Sequence, residues 1–142
     1  KGSMTAMTFD SANKVVYAGG RNPMGGDALI YRCDASNPSR KSCDKADDWT
    51  ASAIRKPADE TYRTTSALVF DSANKVVYAG VSALKGFSED IIIYRCDTST
   101  SCDELRDWEV SYQVMNKRSN AGVAFALSYL AFDPANKVVY GG

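Results

Sequence analysis

The chain has 142 residues, with 17 Lys and Arg against 17 Asp and Glu, so its formal net charge is zero. A neutral chain has no overall field to attract DNA, RNA or an anionic membrane, and its composition argues against those partners. The absence of histidine excludes a His-ligated metal, a Ser-His-Asp triad, a Cys-His dyad and an imidazole general base. No apolar run approaches the length of a membrane-spanning segment.

An eleven-residue segment occurs three times along the chain. Phe9–Gly19 recurs unchanged as Phe70–Gly80, and it recurs as Phe132–Gly142 with changes only at Pro134 and Gly141. Ile30–Asp34 matches Ile93–Asp97 in the same way. Self-similarity at a fixed period is the signature of a repeat architecture. The spacing predicts a repeat of about 61 residues, and the copied turn residues indicate recent duplication.

Each repeat is predicted to contain four short strands. In the second repeat these are Ser66–Phe70, Lys75–Gly80, Ile91–Arg95 and a strand that starts at Trp108. The turn between the first two strands is Asp-Ser-Ala-Asn, in which Asp can accept backbone hydrogen bonds and Asn tolerates the left-handed conformation that a hairpin needs. No segment shows a helical period, so the sequence predicts an all-β chain.

The apolar runs of strands two and three do not alternate with polar residues. Val76–Tyr78 and Ile91–Tyr94 are continuous, which indicates strands that are covered on both faces of their sheet. Repeated four-stranded antiparallel units of this kind are the blades of a β-propeller. The sequence therefore predicts a single repeat domain, 1–142, with blade 1 at 5–65, blade 2 at 66–126 and a half-blade at 127–142. A β-sandwich with a duplicated hairpin is the alternative.

The four cysteines form two local pairs at matching positions of the two repeats. We predict disulfides between Cys33 and Cys43 and between Cys96 and Cys102, each of which closes the loop between strands three and four. Disulfides indicate an oxidising compartment, and hence a secreted, periplasmic or cell-surface protein. Four reduced cysteines in a cytosolic protein are the alternative. A zinc site is not expected, because neither pair has the short spacing of zinc knuckles.

The segments that precede the two tryptophans resemble the Asp-box, Ser-x-Asp-x-Gly-x-Thr-Trp, of bacterial neuraminidase repeats. Both copies keep the Ser, Asp and Trp and lack the Gly and Thr; the matching residues are Ser42, Asp44, Trp49, Ser101, Asp103 and Trp108. The resemblance implies a β-propeller in which the box forms the turn between strands three and four of a blade. A carboxylate can hold such a turn by accepting backbone N–H groups, and the Trp ring can pack between sheets, so we expect these residues to be structural. A weaker likeness to tachylectin-type propeller lectins implies carbohydrate binding.

The ligand site is expected on the face that carries the loops between strands two and three and between strand four and the next strand one. In propellers of the type that the chain resembles, this face lies opposite the Asp-box turns. The candidate binding residues in these loops are Arg21, Asn22, Arg55, Lys56, Tyr62, Arg63, Lys85, Phe87 and Arg118. An exposed ring among charges, as expected for Tyr62 and Phe87, can stack on a sugar or anchor a peptide. No catalytic residue, metal or cofactor is expected.

These features predict a non-enzymatic binding module that recognises a glycan or a protein. A fragment of a sialidase-like glycosidase is one alternative, although no arrangement of Arg, Tyr, Glu and Asp matches that catalytic set. A purely structural, self-assembling module is the other. Two blades and a half cannot close a propeller, so strand Lys137–Tyr140 is expected to leave an open edge. We therefore expect either a homo-oligomer, with the half-blade docked on another chain, or part of a longer repeat array.

Overall fold

The computed structural model describes residues 3–38, 43–85, 88–114 and 127–142, and within them the chain is all-β. The first sheet contains β1 (Met4–Asp10), β2 (Val15–Arg21), β3 (Ala28–Asp34) and β4 (Trp49–Ile54). The second contains β5 (Tyr62–Asp71), β6 (Val76–Lys85), β7 (Ser88–Asp97) and β8 (Glu109–Val114), and the third contains β9 (Leu130–Asp133) and β10 (Val138–Gly141). Short 3₁₀ turns at Ala46–Asp48 and Leu105–Asp107 precede β4 and β8.

Both four-stranded sheets are antiparallel meanders whose strands pair in chain order. This confirms the predicted all-β class and the four strands per repeat. The first strand of the second sheet starts at Tyr62, within the range predicted for the first repeat. Among the described residues, β10 pairs only with β9. No helix in this part of the chain has the length and apolar character needed to cross a bilayer.

The repeated hairpin turn is held by one carboxylate. Asp10 Oδ1 accepts the backbone N–H groups of Ala12 and Asn13 at 2.9 and 3.0 Å, and Asp10 Oδ2 accepts the Asn13 side-chain amide at 2.7 Å. The same three bonds occur at the two equivalent turns, which begin at Asp71 and Asp133. The predicted role of Asp is confirmed.

The prediction for Asn in this turn is wrong. The left-handed residue is the following lysine, at φ 57° for Lys14, 56° for Lys75 and 55° for Lys137. The register pairs Asp10 with Val15 and Asp71 with Val76, so the loop has four residues, and its last residue takes the left-handed conformation that leads into the next strand.

The first and second sheets pack face to face and form one core. Val15, Tyr17 and Ile30 of the first sheet share a buried cluster with Leu68 and Phe70 of the second. Tyr17 meets the Trp108 ring edge-to-face, with the ring centroids 6.5 Å apart. Burial raises the pKa of Tyr17 above its usual value, which keeps the phenol neutral in this interface.

The junction of the first and second sheets shares one close contact with the junction of the second and third sheets. A Cβ at Gly19 would clash with Thr65, and a Cβ at Gly80 would clash with Leu127. Gly19 and Gly80 are repeat-equivalent, and so are Thr65 and Leu127. The two junctions therefore have the same close contact, which only a residue without a side chain allows.

The two predicted disulfides are present, Cys33 to Cys43 and Cys96 to Cys102, and each closes the loop that leads to a 3₁₀ turn. Cys33, Cys96 and Cys102 are almost completely buried. The disulfides fit an oxidising compartment.

Replacing both Cys96 and Cys102 with Ala should lower the free energy of unfolding by about 2–3 kcal/mol, because an open loop gains chain entropy when the protein unfolds. The measurement is guanidinium denaturation of the variant and of the wild-type protein with and without reductant. Reduction of the wild type should cost more than the double variant, since it also opens Cys33–Cys43. An unchanged denaturation midpoint in the double variant would contradict the stabilising role.

Candidate ligand-binding groove

The loop between β2 and β3 has a rigid internal structure. The backbone N–H of Asn22 donates to the Asp27 carbonyl at 2.8 Å, and that of Gly26 donates to the Asn22 carbonyl at 3.0 Å. The Asn22 side-chain oxygen accepts from the Met24 N–H at 3.1 Å. Gly26 has φ +72°, a left-handed conformation that glycine adopts without strain. These bonds hold the loop in one shape at the end of the first sheet.

The loop between β4 and β5 is bound to the first loop. The Lys56 backbone N–H donates to Asp27 Oδ1 at 3.0 Å, and the Lys56 ammonium donates to the Glu60 carbonyl at 3.0 Å. The backbone N–H of Arg63 donates to the Gly26 carbonyl at 2.6 Å. The two loops that were predicted to share one face therefore meet at that end of the sheet.

A shallow groove of about 530 Å³ lies between these loops. It brings together Arg21, Asn22, Lys56 and Tyr62, which are four of the predicted binding residues. The Arg21 guanidinium carbon lies 5.1 Å from the centroid of the Tyr62 ring, a cation–π contact that orients the exposed arginine. The remaining described residues that line the groove are Pro23, Met24, Gly25, Gly26 and Thr61.

The charged residues among the described lining of the groove are all positive. Two of its described lining residues are cations, and none is a carboxylate. Glu60 is bound to Arg63, whereas Asp27 accepts a backbone N–H and keeps its negative charge beside Gly25 at the edge of the groove. The described lining residues therefore carry two positive charges, which Asp27 offsets in part.

Arg63 lies at this end of the sheet but does not face the groove. It is buried, and its Nε and Nη2 donate to the two Glu60 oxygens at 2.6 and 2.8 Å. Its Nη1 donates to the Tyr94 hydroxyl at 2.9 Å. The bond to Glu60 is the main reason that the pKa of Arg63 is raised above its usual value. Because of these contacts, the Arg63 guanidinium stabilises the fold and is not available to a ligand in the groove.

The other predicted binding residues are not brought into the groove. Lys85 forms an exposed ion pair with Asp59, which raises the pKa of Lys85 and lowers that of Asp59. Arg55 is exposed beside Lys56 and does not line the groove. Phe87 and Arg118 lie outside the described residues.

The box-like turns lie before β4 and β8 and are held by a carboxylate that sequence reasoning passed over. Asp48 Oδ2 accepts the Lys45 N–H at 3.3 Å, and Asp107 Oδ2 accepts the Glu104 N–H at 3.2 Å. The signal was the Asp directly before Trp in both copies, at the position where the Asp-box has Thr.

The remaining box residues have local contacts. The Ser101 hydroxyl lies within hydrogen-bonding distance of the Asp103 and Asp107 carboxylates, and the Asp103 carbonyl accepts the Ser52 hydroxyl at 2.7 Å. The side chain of Asp44 is exposed, and Ser42 lies outside the described residues.

The two tryptophans anchor the turns in the same way. The indole N–H of Trp49 donates to the Cys43 carbonyl at 3.0 Å, and that of Trp108 donates to the Cys102 carbonyl at 3.3 Å. Trp108 is 5% exposed, whereas Trp49 is half-buried. These are the contacts of framework side chains. The described backbone N–H groups of Lys45 and Glu104 donate to Asp48 and Asp107, not to Asp44 and Asp103 as predicted.

A second cavity, of about 300 Å³, lies beside the second box-like turn. Its lining combines two arginines with three carboxylates: Arg95, Asp97, Thr100, Arg106, Asp107 and Glu109. Mixed charges give no preference for an anion or a cation. In the described part of the chain, no group of three or more Cys, Asp or Glu side chains is arranged to hold a metal ion.

Comparison of the chain with protein-family models, curated proteins and solved structures found no match. The similarity to the Asp-box therefore stays a prediction from the sequence.

Proposed function

We propose that the chain is a non-enzymatic binding module of the β-propeller type, whose groove binds an acidic group on a glycan. The observation that carries this proposal is the groove itself, in which Arg21 and Lys56 flank Asn22 and Tyr62 with no carboxylate among the described lining residues. A protein ligand with an acidic side chain is the alternative, since the same charges would bind it.

The propeller part of the proposal is supported by one close contact that both junctions between sheets share. Gly19 lies against Thr65 of β5, Gly80 lies against the repeat-equivalent Leu127 that precedes β9, and the two complete sheets have the same strand order. Identical units that are stacked by one repeated step form either a closed ring of blades or an open stack. The continuous apolar run of β6 is buried on both faces, with Val76 6% and Val77 0% exposed, as either arrangement requires of an inner sheet. We favour the ring because a four-stranded antiparallel meander is the unit of a propeller blade.

The groove residues suit recognition of a carboxylate or sulfate. A guanidinium can donate two parallel hydrogen bonds to such a group, and the stack on Tyr62 reduces the freedom that Arg21 loses on binding. Lys56 is held by the Glu60 carbonyl, so its charge is also oriented before a ligand arrives. Met24, 96% exposed at the rim, offers an apolar contact to the carbon face of a sugar ring.

A glycosidase is less well supported by this geometry. Retaining and inverting glycosidases commonly use paired carboxyl groups beside the scissile bond, and sialidases pair a Tyr nucleophile with a Glu. Tyr62 instead lies against Arg21, and Glu60 is bound to the buried Arg63.

A glycan array with neutral, sialylated, uronate-containing and sulfated members tests the proposal. We expect retention of acidic glycans, weakened by salt, and at least about a tenfold loss of affinity for Arg21→Ala or Lys56→Ala, since each removes a charge-assisted hydrogen bond. Arg106→Ala is the matched control, because it removes an exposed arginine from the box-like turn outside the groove.

Three outcomes would overturn the proposal. Equal losses in Arg106→Ala and Arg21→Ala would show that the groove is not the site. Hydrolysis of a fluorogenic sialoside would show that the chain is an enzyme. An empty array, together with a bound protein that Arg21→Ala releases, would favour the protein ligand.

A further inference from the structure

Repeat-equivalent residues on the first strands have very different exposures. Phe9 is 52% exposed and Phe70 is 8% exposed, and Met7 is 61% exposed where Leu68 is 7% exposed. Leu68 and Phe70 lie on the face of the second sheet that packs on the first sheet. We call this the leading face of a sheet. The leading face of the first sheet, with Met7 and Phe9, is uncovered in the described structure.

Identical residues of the first and third sheets also differ in exposure, and here the exposed copies lie in the third sheet. Val15 and Tyr17 are each 1% exposed, but the identical residues of the third sheet, Val138 and Tyr140, are 41% and 53% exposed. Val15 and Tyr17 lie on the face of the first sheet that receives the second sheet, which we call the trailing face. The trailing face of the third sheet is therefore also uncovered in the described structure.

The chain itself shows what covers such faces. The leading face of the second sheet lies on the trailing face of the first sheet, where Tyr17 meets Trp108 edge-to-face. The uncovered trailing face of the third sheet carries Tyr140, the repeat equivalent of Tyr17. The first sheet carries the equivalent Trp, Trp49, which is only half-buried. One molecule thus exposes both halves of an interface that it already forms once internally.

We propose that the leading face of the first sheet docks on the trailing face of the third sheet of a second copy, with Trp49 of one chain against Tyr140 of the other. The two faces are different surfaces, so the contact is heterologous and passes from chain to chain. It either closes into a ring or continues as an open array, depending on the rotation per chain. This inference rests on the junction between the first and second sheets and does not depend on the proposed ligand groove.

Two single variants and their mixture test the direction of the contact. Light scattering and sedimentation of the wild type should show masses above the 15.4 kDa of one chain, which rise with concentration. Phe9→Asp places a charge on the apolar leading face, and Tyr140→Asp places a charge on the apolar trailing face. Each variant alone should therefore have the mass of one chain. An equimolar mixture should give the mass of two chains and nothing larger, because only one complementary pair of faces remains.

The controls separate loss of contact from loss of fold. Leu105→Asp places the same charge on an exposed apolar side chain of the second box-like turn, which belongs to neither face, and should assemble as the wild type does. Circular dichroism should be unchanged in Phe9→Asp and Tyr140→Asp, since both side chains are already exposed. If either variant unfolds, Met7→Asp or Val138→Asp replaces it.

Three results would overturn the proposal. These are a wild-type protein with the mass of one chain at all concentrations, a single variant that assembles at the same concentration as the wild type, or a mixture that stays at the mass of one chain. A single variant that still forms a dimer would indicate a symmetric contact through one face. Each single variant should at least need about a tenfold higher concentration than the wild type for half-assembly, because it loses one buried aromatic contact.

Discussion

Replacing Arg63 with Met should lower the free energy of unfolding by about 3–5 kcal/mol, because it leaves a buried carboxylate without its counter-charge. The side chains of Arg63 and Glu60 are 10% and 9% exposed, and the guanidinium donates to both carboxylate oxygens and to the Tyr94 hydroxyl. The measurement is chemical denaturation followed by circular dichroism.

The chain offers a matched control in the exposed ion pair of Lys85 and Asp59, whose side chains are 54% and 57% exposed. Lys85→Met removes the same charge and should change stability little, because water solvates the remaining carboxylate. Adding Glu60→Gln to Arg63→Met should restore part of the lost stability, since it removes the orphaned charge. Equal effects of Arg63→Met and Lys85→Met would contradict the framework role of Arg63.

Replacing Trp108 with Ala should also lower the free energy of unfolding by about 3–5 kcal/mol, because it empties the centre of the interface between the first two sheets. Trp108 is 5% exposed, its ring packs edge-to-face on Tyr17, and its N–H donates to the Cys102 carbonyl. Ligand retention by the groove should be unchanged in the fraction that is folded, since the groove lies in other loops.

Trp49→Ala is the control for this prediction, because Trp49 occupies the equivalent position but is half-buried. In a Tyr140→Asp background, which blocks the proposed contact between chains, Trp49→Ala should cost clearly less stability than Trp108→Ala. With Tyr140 intact, Trp49→Ala should weaken assembly. A loss of stability in Trp49→Ala as large as that in Trp108→Ala would mean that the two positions are equally packed within one chain.

Local chemistry made much of the fold predictable. The Asp of each hairpin turn binds the backbone only two and three residues ahead, so the turn is recognisable without knowledge of the rest of the chain. Each cysteine pair closes a short loop that the repeat places between strands three and four. The meeting of Asn22 with Lys56 was also predictable in outline, because an antiparallel meander brings alternate loops to the same end of its sheet.

Residues that look alike in the sequence could be told apart only in the tertiary structure. Arg21 and Arg63 both lie at strand ends near charged loops, but Arg21 is exposed over Tyr62 and Arg63 is buried against Glu60. The repeat, the four strands per repeat and both disulfides could be predicted because each leaves a local pattern in the chain, whereas the left-handed lysines and the carboxylates of the box-like turns were not predicted. The burial of Tyr17 and the exposure of the identical Tyr140 could not be predicted from sequence, since burial depends on whether another sheet packs against that face.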